Sequence, residues 1–316
     1  MLHWIWLLLA IVALIGEQDY RYCFTYDHYI DKTFNSTYDK AYLEGRFCDD
    51  NKYGYLCKFK DMCGRVSRIS TRPPKPPQPP YGAYILGGEN LRLAEFPSFA
   101  QLVSIMTRTD TYRIVQYCSG SIISDYHIVT ARHCVHGDTG QAVSTEVYVG
   151  TNRVVVAGEK GGLKVKTVCT HPEHLDIAIL TLANKLTFDD YIQPACWKFD
   201  EEPMYKANDW CWQVGAGKSS VFNVPLIRKM RVRIDTDKSV YRPGYLTLVN
   251  DHNATVCRGD SGGPLLCLKK DWRRWTVVGV ASSGTCKKNF PWYYDTPVDQ
   301  KLARTTMGSC GVDGLE

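Results

Sequence analysis

From Ile85 onward the chain is a succession of short β-branched and aromatic runs, each interrupted by Gly, Pro or Asn. Apolar runs of that length between turn-forming residues predict strands, and their number predicts an all-β region. Helical spacing is plausible only near the end, around Val298 to Met307. Two apolar stretches carry chemistry at their edges. One runs to Ile128-Val129 and is followed by Thr130-Ala131-Arg132-His133-Cys134, which puts His133 on a turn just after a strand. The other, Ile177-Ala178-Ile179-Leu180, begins directly after Asp176.

The pattern upstream of Ile85 is different. Leu2–Ile15 is almost uninterrupted apolar sequence, ending near Gly16 and Glu17. It is shorter than the roughly 20 residues a spanning helix needs, so residues 1–16 are expected to be a secretory signal peptide. Residues 17–70 are rich in Tyr and carry Cys23, Cys48, Cys57 and Cys63. A stretch that short builds little core, and disulfides are the usual remedy. The run Thr71-Arg72-Pro73-Pro74-Lys75-Pro76-Pro77-Gln78-Pro79-Pro80 then reads as an extended polyproline spacer within a linker covering 71–84. Residues 85–316 form the main domain.

Composition narrows the setting. The chain has 13 cysteines in 316 residues, several at disulfide spacing, which argues for an oxidising compartment and secretion. Sequons at Asn35 and Asn253 are compatible with a secreted glycoprotein. Net charge is +5, from 38 basic and 33 acidic residues spread without long blocks, and implies neither nucleic acid nor a membrane surface as partner. The basic cluster Trp272-Arg273-Arg274-Trp275 lies between two predicted strands and reads as a hairpin tip.

The sharpest motif is Gly259-Asp260-Ser261-Gly262-Gly263-Pro264. Glycines on both sides of a serine let the backbone approach a substrate and leave the amides of Gly259 and Ser261 able to face a developing oxyanion. A serine hydroxyl needs a base to take its proton and a third group to orient that base. His133 and Asp176 are the candidates, and the chain order His, Asp, Ser with these flanking motifs resembles the trypsin and chymotrypsin family of serine peptidases.

The resemblance implies two six-stranded antiparallel β-barrels with a C-terminal helix, and an active site between the barrels. It implies His133 as general base then acid, Asp176 as its orienting carboxylate, Ser261 as nucleophile, and the Gly259 and Ser261 amides as oxyanion hole. It also implies the pairs Cys118 with Cys134, Cys211 with Cys267 and Cys257 with Cys286. The first closes a loop of a size worth about 3 kcal/mol if unstrained. Cys196 matches a cysteine that holds a cut propeptide, with Cys63 or Cys57 as its partner. Cys169 and Cys310 could clip the C-terminal helix to the strand before Asp176, and the odd total leaves one cysteine over.

In this family a zymogen is cut before an Ile, here Ile85, and the freed amine pairs with the Asp before the nucleophile, here Asp260. Residue 84 is Tyr, where most family zymogens offer Arg or Lys, so activation falls to a protease preferring aromatics, to autolysis, or to none. The pocket-base position holds Thr255, which lacks the buried charge a cationic side chain needs. The opposite wall, Ser282-Ser283-Gly284, is open at Gly284. Trp292 stands where a pocket-lining glycine is usual, unless the loop after Cys286 is shifted by one residue. Small or medium apolar specificity ranks first, a large aromatic pocket second, and no productive pocket third.

Two function classes follow. One is a secreted serine endopeptidase made as a zymogen, working through an acyl-enzyme without metal or organic cofactor. Its partners would be protein or peptide substrates, an activating protease and protein inhibitors. The other is a catalytically silent homologue acting as a binding or regulatory protein.

Overall fold

A computed structural model describes residue 85 and residues 88–310, except 110–111, 138–139, 197–209, 218–225, 236–243, 251–253, 270–273, 288–291 and 299. The expectations for the signal peptide, the Cys-rich region, the linker, Tyr84 and both sequons fall outside the described residues.

The described strands are β1 (Glu89–Asn90), β2 (Phe99–Thr109), β3 (Tyr112–Ile122), β4 (His127–Thr130), β5 (His136–Gly137), β6 (Gly140–Gln141), β7 (Ser144–Val149), β8 (Leu163–Thr170) and β9 (Ala178–Leu182). They continue with β10 (Trp210–Gly215), β11 (Arg228–Ile234), β12 (Leu246–Val249), β13 (Pro264–Lys269), β14 (Arg274–Ser283) and β15 (Trp292–Pro297), followed by helix α1 (Gln300–Gly308).

Two antiparallel six-stranded barrels result. The first closes in the order β2-β3-β4-β9-β8-β7. The second runs β11-β10-β13-β14-β15-β12 and closes through the β11–β12 pairing, with β1 added outside β11.

Side-chain alternation explains how the barrels meet. In β4, Ile128 points into the first barrel's core while Val129 joins the cluster between the barrels. In β9, Leu180 and Ile179 divide in the same way. The second barrel mirrors this: Leu265 and Val278 fill its interior, whereas Leu266 and Val277 face the first barrel. Strands covered on both faces have no polar side to show, which is why these segments read as continuous apolar runs rather than alternating ones. The chain leaving or entering each of them sits at the seam between barrels.

Helix α1 lays Ala303 and Met307, one turn apart, against that same seam. It starts at Gln300 rather than Val298, because the Val298 amide still donates to the Val278 carbonyl at 2.9 Å as a continuation of the sheet. The basic cluster also resolves into parts: Trp275 is buried in β14, edge-on to Phe96 with ring centroids 5.2 Å apart. A tip reading therefore does not extend to Trp275.

Candidate active site

The turn 132–134 follows β4 as a single 3-10 turn, and His133 keeps a partly exposed side chain there. Cys134 is fully buried and bonded to Cys118 of β3, which fixes the turn from below. Asp176, in the loop before β9, holds the His133 ring by Nδ1 to Oδ2 at 2.8 Å and receives the His133 backbone amide at Oδ1 at 2.9 Å. The Ser282 hydroxyl donates to Oδ2 at 2.6 Å, and the Thr296 hydroxyl donates to the Asp176 carbonyl at 3.0 Å. Burial alone would push the Asp176 carboxyl up. The hydrogen bond and charge of His133, then the Ser282 hydroxyl and the His133 amide, outweigh it and hold the carboxyl below the usual range. With Nδ1 donating to a carboxylate, the proton-accepting nitrogen of His133 is Nε2.

The Ser261 turn is pressed against this one. Gly262 has φ +76°, and a side chain there would sit 2.1 Å from Thr130 Oγ1 and 2.9 Å from the Ala131 amide nitrogen. Only glycine permits that approach. The Ser261 carbonyl accepts from the Ser119 amide at 2.8 Å and lies 3.5 Å from Cys134 Sγ. Ser119 ties the parts together: its hydroxyl donates to the Gly259 carbonyl at 2.9 Å and accepts from the Ala216 amide at 2.9 Å. In sequence Ser119 is an ordinary residue beside a cysteine; its carbonyl also accepts from the Thr130 hydroxyl of β4 at 2.7 Å.

Backbone amides in the turn divide into two groups. Those of Asp260, Gly262 and Gly263 donate to Cys257, Ala281 and Asp260 carbonyls at 2.7–3.0 Å. Those of Gly259 and Ser261 have no acceptor among the described residues. Gly259 sits at φ +95°, which turns the peptide units on either side of Asp260. The Asp260 side chain points the opposite way, inward: it is fully buried, and its oxygens accept from the Gly217 and Cys257 amides at 2.9 and 2.8 Å. Burial pushes its carboxyl up to about 7, against those two amides and the more distant charge of Arg228.

Two further bridges hold the second barrel near the residues expected to form a pocket. Cys257 joins Cys286, and Cys211 joins Cys267 across β10 and β13. Thr255 is fully buried, and its hydroxyl oxygen lacks a partner among the described residues. Gly284 is exposed, and a side chain on it would meet Val256 Cγ2 at 2.3 Å. Ser282 does not line the pocket with its hydroxyl, because Asp176 engages it. The Trp292 backbone pairs with Val249, and its side chain lies outside the description. The neighbouring Tyr293 is buried among Leu265, Val278, Ala254 and Val256. Residue types alone do not single it out, because Trp292, Tyr293 and Tyr294 are consecutive aromatics.

Asp295, also on β15, is fully buried, and neither carboxylate oxygen has a partner among the described residues. Burial pushes its carboxyl well above the usual range. A carboxyl with a raised folded-state pKa loses stability for the fold as pH climbs from the unfolded value of about 3.9 toward the folded one. Asp295→Asn is therefore expected to raise Tm at pH 8 and to leave it within about 1 °C at pH 4. Thermal unfolding at the two pH values checks this, and an equal shift at both would contradict it.

Cys118, Cys134 and the His133 ring also lie within 4.8 Å of one another, but both sulfurs are spent in their disulfide. The remaining buried histidines serve the fold: His127 bonds Ser124 through Nδ1 at 2.7 Å, and His171 accepts the Glu173 amide at 3.2 Å. No helix among the described residues is long and apolar enough to cross a membrane.

Comparison with known proteins agrees with this geometry. The family described as Trypsin matches residues 85–303. Serine protease 28 of Mus musculus is 27% identical over 234 residues, covering 66% of this chain and 82% of that protein. Transmembrane protease serine 5 of Homo sapiens is 26% identical over 281 residues, covering 77% of this chain and 58% of its own length. The solved structure of HL collagenase superposes with a TM-score of 0.56 at 22% identity, covering 72% of this chain and 98% of that one, and so shares the fold. The matched span contains both barrels and every residue of the His133, Asp176 and Ser261 constellation, and the chain belongs to the trypsin family of serine proteases.

Proposed function

We propose that the chain is a secreted serine endopeptidase, made as a zymogen, that cleaves peptide bonds through an acyl-enzyme on Ser261. The observation that carries this reading is the pair of amides, Gly259 and Ser261, left without an acceptor among the described residues, together with a histidine already oriented by a half-buried carboxylate. Ser261 Oγ attacks the peptide carbonyl carbon as His133 Nε2 takes its proton. The carbonyl oxygen becomes an anion accepted by the two amides, worth about 10²–10³-fold in rate for each donor. His133 returns the proton to the departing amine, and a water repeats the sequence to free the acid. Asp176 stays ionised and steadies the imidazolium.

The test is labelling with a fluorophosphonate, in which Ser261 Oγ would displace fluoride from phosphorus. The secreted full chain is compared before and after limited proteolysis near Tyr84. Ser261-dependent labelling that rises after the cut is expected; a cut chain that never labels would overturn the proposal.

For the residue on the acyl side of the cut bond, a small or modest apolar side chain fits best. Thr255 brings no charge, and burial favours the neutral form of Asp295. A cationic side chain would be desolvated without a partner, at a cost of several kcal/mol. On a peptide library, kcat/KM for Ala, Val or Leu at that position should exceed that for Arg or Lys by about 100-fold or more. Preference for Arg or Lys would reject this pocket. The sealed Thr255 also favours a second reading, a homologue that binds rather than cleaves. That protein would label with the fluorophosphonate yet turn over no peptide in the library.

A further inference from the structure

The cysteines of the described residues are not all spent in the bridges around the site. Cys169, near the end of β8, and Cys310, just after α1, are both thiols. Cys169 is buried and Cys310 exposed. The Cys310 thiol lies close enough to Cys169 to act on its titration. Backbone anchors hold the two segments in place: Ser309 Oγ donates to the Thr170 carbonyl at 2.8 Å, and Cys310 Sγ lies 3.6 Å from the Val168 carbonyl oxygen. The residues on both sides of Cys169 are thus bound by the residue pair that ends the helix. Neither thiol touches His133, Asp176 or Ser261 by any described contact, so the pair is separate from the active site.

We propose that Cys169 and Cys310 are an oxidisable dithiol that closes to a disulfide by exchange with a small-molecule disulfide, clipping the C-terminal helix onto β8 ahead of the loop carrying Asp176. The exposed Cys310 reacts first. Its thiolate attacks one sulfur of the small disulfide and expels the other as a thiolate, which takes up a proton. The Cys169 thiolate then attacks the Cys310 sulfur of that mixed disulfide and releases the second small thiol. Two protein thiols are oxidised to one disulfide, and one small disulfide is reduced to two thiols.

The order of events follows from access and charge. Burial, with the nearby Cys310 thiol and its charge, pushes the Cys169 thiol up to about 12, so it is a poor opening nucleophile. The charge contribution disappears once Cys310 is in the mixed disulfide. Compartment chemistry favours the closed form, since Cys118, Cys134, Cys211, Cys257, Cys267, Cys286 and Cys196 are all disulfide-bonded. Exposure of Cys310 also makes this bridge the first expected to open under mild reduction.

The test uses the full chain, incubated in glutathione buffers of increasing oxidised fraction, then alkylated in denaturant and mapped by mass spectrometry. The expected result is a Cys169–Cys310 cross-linked peptide pair, lost at reductant levels that leave Cys118–Cys134 intact. Cys169→Ala should trap glutathione on Cys310, and Cys310→Ala should leave Cys169 unmodified in the folded chain. Oxidised wild type should melt several degrees above its mildly reduced form, with no such difference in Cys310→Ala. Recovery of both cysteines singly alkylated at the most oxidising ratio, with the other bridges closed, would overturn the proposal. So would a stable glutathione adduct on Cys310 of the wild-type chain.

Discussion

Ser261→Ala lowers kcat/KM on any cleavable peptide by about 10⁴–10⁶-fold and abolishes fluorophosphonate labelling, while the folded chain melts within a few degrees of wild type. Both halves of that expectation come from the same turn. The structural duties of residue 261 belong to its backbone: its carbonyl accepts from the Ser119 amide, and Gly262 and Gly263 take the sterically demanding positions on either side of β4 and β10. A side chain on Gly263 would lie 2.1 Å from the Val214 carbonyl oxygen, whereas alanine at 261 adds nothing. What disappears is the nucleophilic oxygen. The His133–Asp176 pair and the two amides remain, so residual hydrolysis above the uncatalysed rate is expected from polarisation and binding alone. His133→Ala should fall to a similar floor, and the double variant should be no worse than either, because the two groups act as one unit. Steady-state kinetics on the cut chain, with circular dichroism as the folding control, measures this. A Ser261→Ala enzyme within tenfold of wild type would remove Ser261 from the mechanism.

The site was legible in the sequence wherever chemistry and strand edge coincide. His133 ends a run that is apolar because β4 is buried on both faces, and Asp176 opens another for the same reason. Local sequence therefore places those residues at the seam, and the Gly-flanked Ser261 follows from the backbone freedom its turn needs. Ser119 and Thr296 were not legible. Their hydroxyls act across 140 and 120 residues of chain, and a lone Ser or Thr in a strand carries no local sign of a distant partner. Ser282 was visible as a candidate, but its hydrogen bond to Asp176 was not, because that contact spans 106 residues of chain. The pocket was least legible. Three aromatics in a row differ by one residue of register, and register on β15 depends on pairing with β12 and β14 rather than on the residues themselves.

Asp260→Asn is expected to cancel the gain in activity proposed to follow cleavage before Ile85, lowering kcat/KM of the cut chain by about 10²–10³-fold, the loss expected for one misplaced oxyanion donor. In the intact chain the Asp260 carboxyl has two amides but no ion pair among the described residues, and Gly215 is packed so closely that a side chain there would reach 2.2 Å from Oδ1. Burial accordingly pushes it up to about 7. Ile85, whose amine cleavage would free, is itself fully buried in the second barrel's core with Cys211 and Leu265. An amine with a reference pKa of about 8 supplies the missing cation. Cutting then removes the loss of stability between about pH 4 and 7. Before the cut, the raised carboxyl makes the fold lose stability as pH rises from about 4 to 7, by an amount on the order of 4 kcal/mol. After it, pairing brings the folded pKa below the unfolded value of about 4, so the carboxyl's contribution is fully present and constant above about pH 4, and the ion pair is lost only as pH climbs from about 8 through the raised pKa of the paired amine. Tyr84→Arg gives a trypsin-like activator a place to cut, and Tm across pH 4–9 should fall between about pH 4 and 7 in the uncut chain and only above about pH 8 in the cut one. In Asp260→Asn the Tm difference between cut and uncut chains should no longer vary with pH through that window. Equal activation of the wild-type and Asn chains by the same cut would show that the Ile85 amine does not work through Asp260.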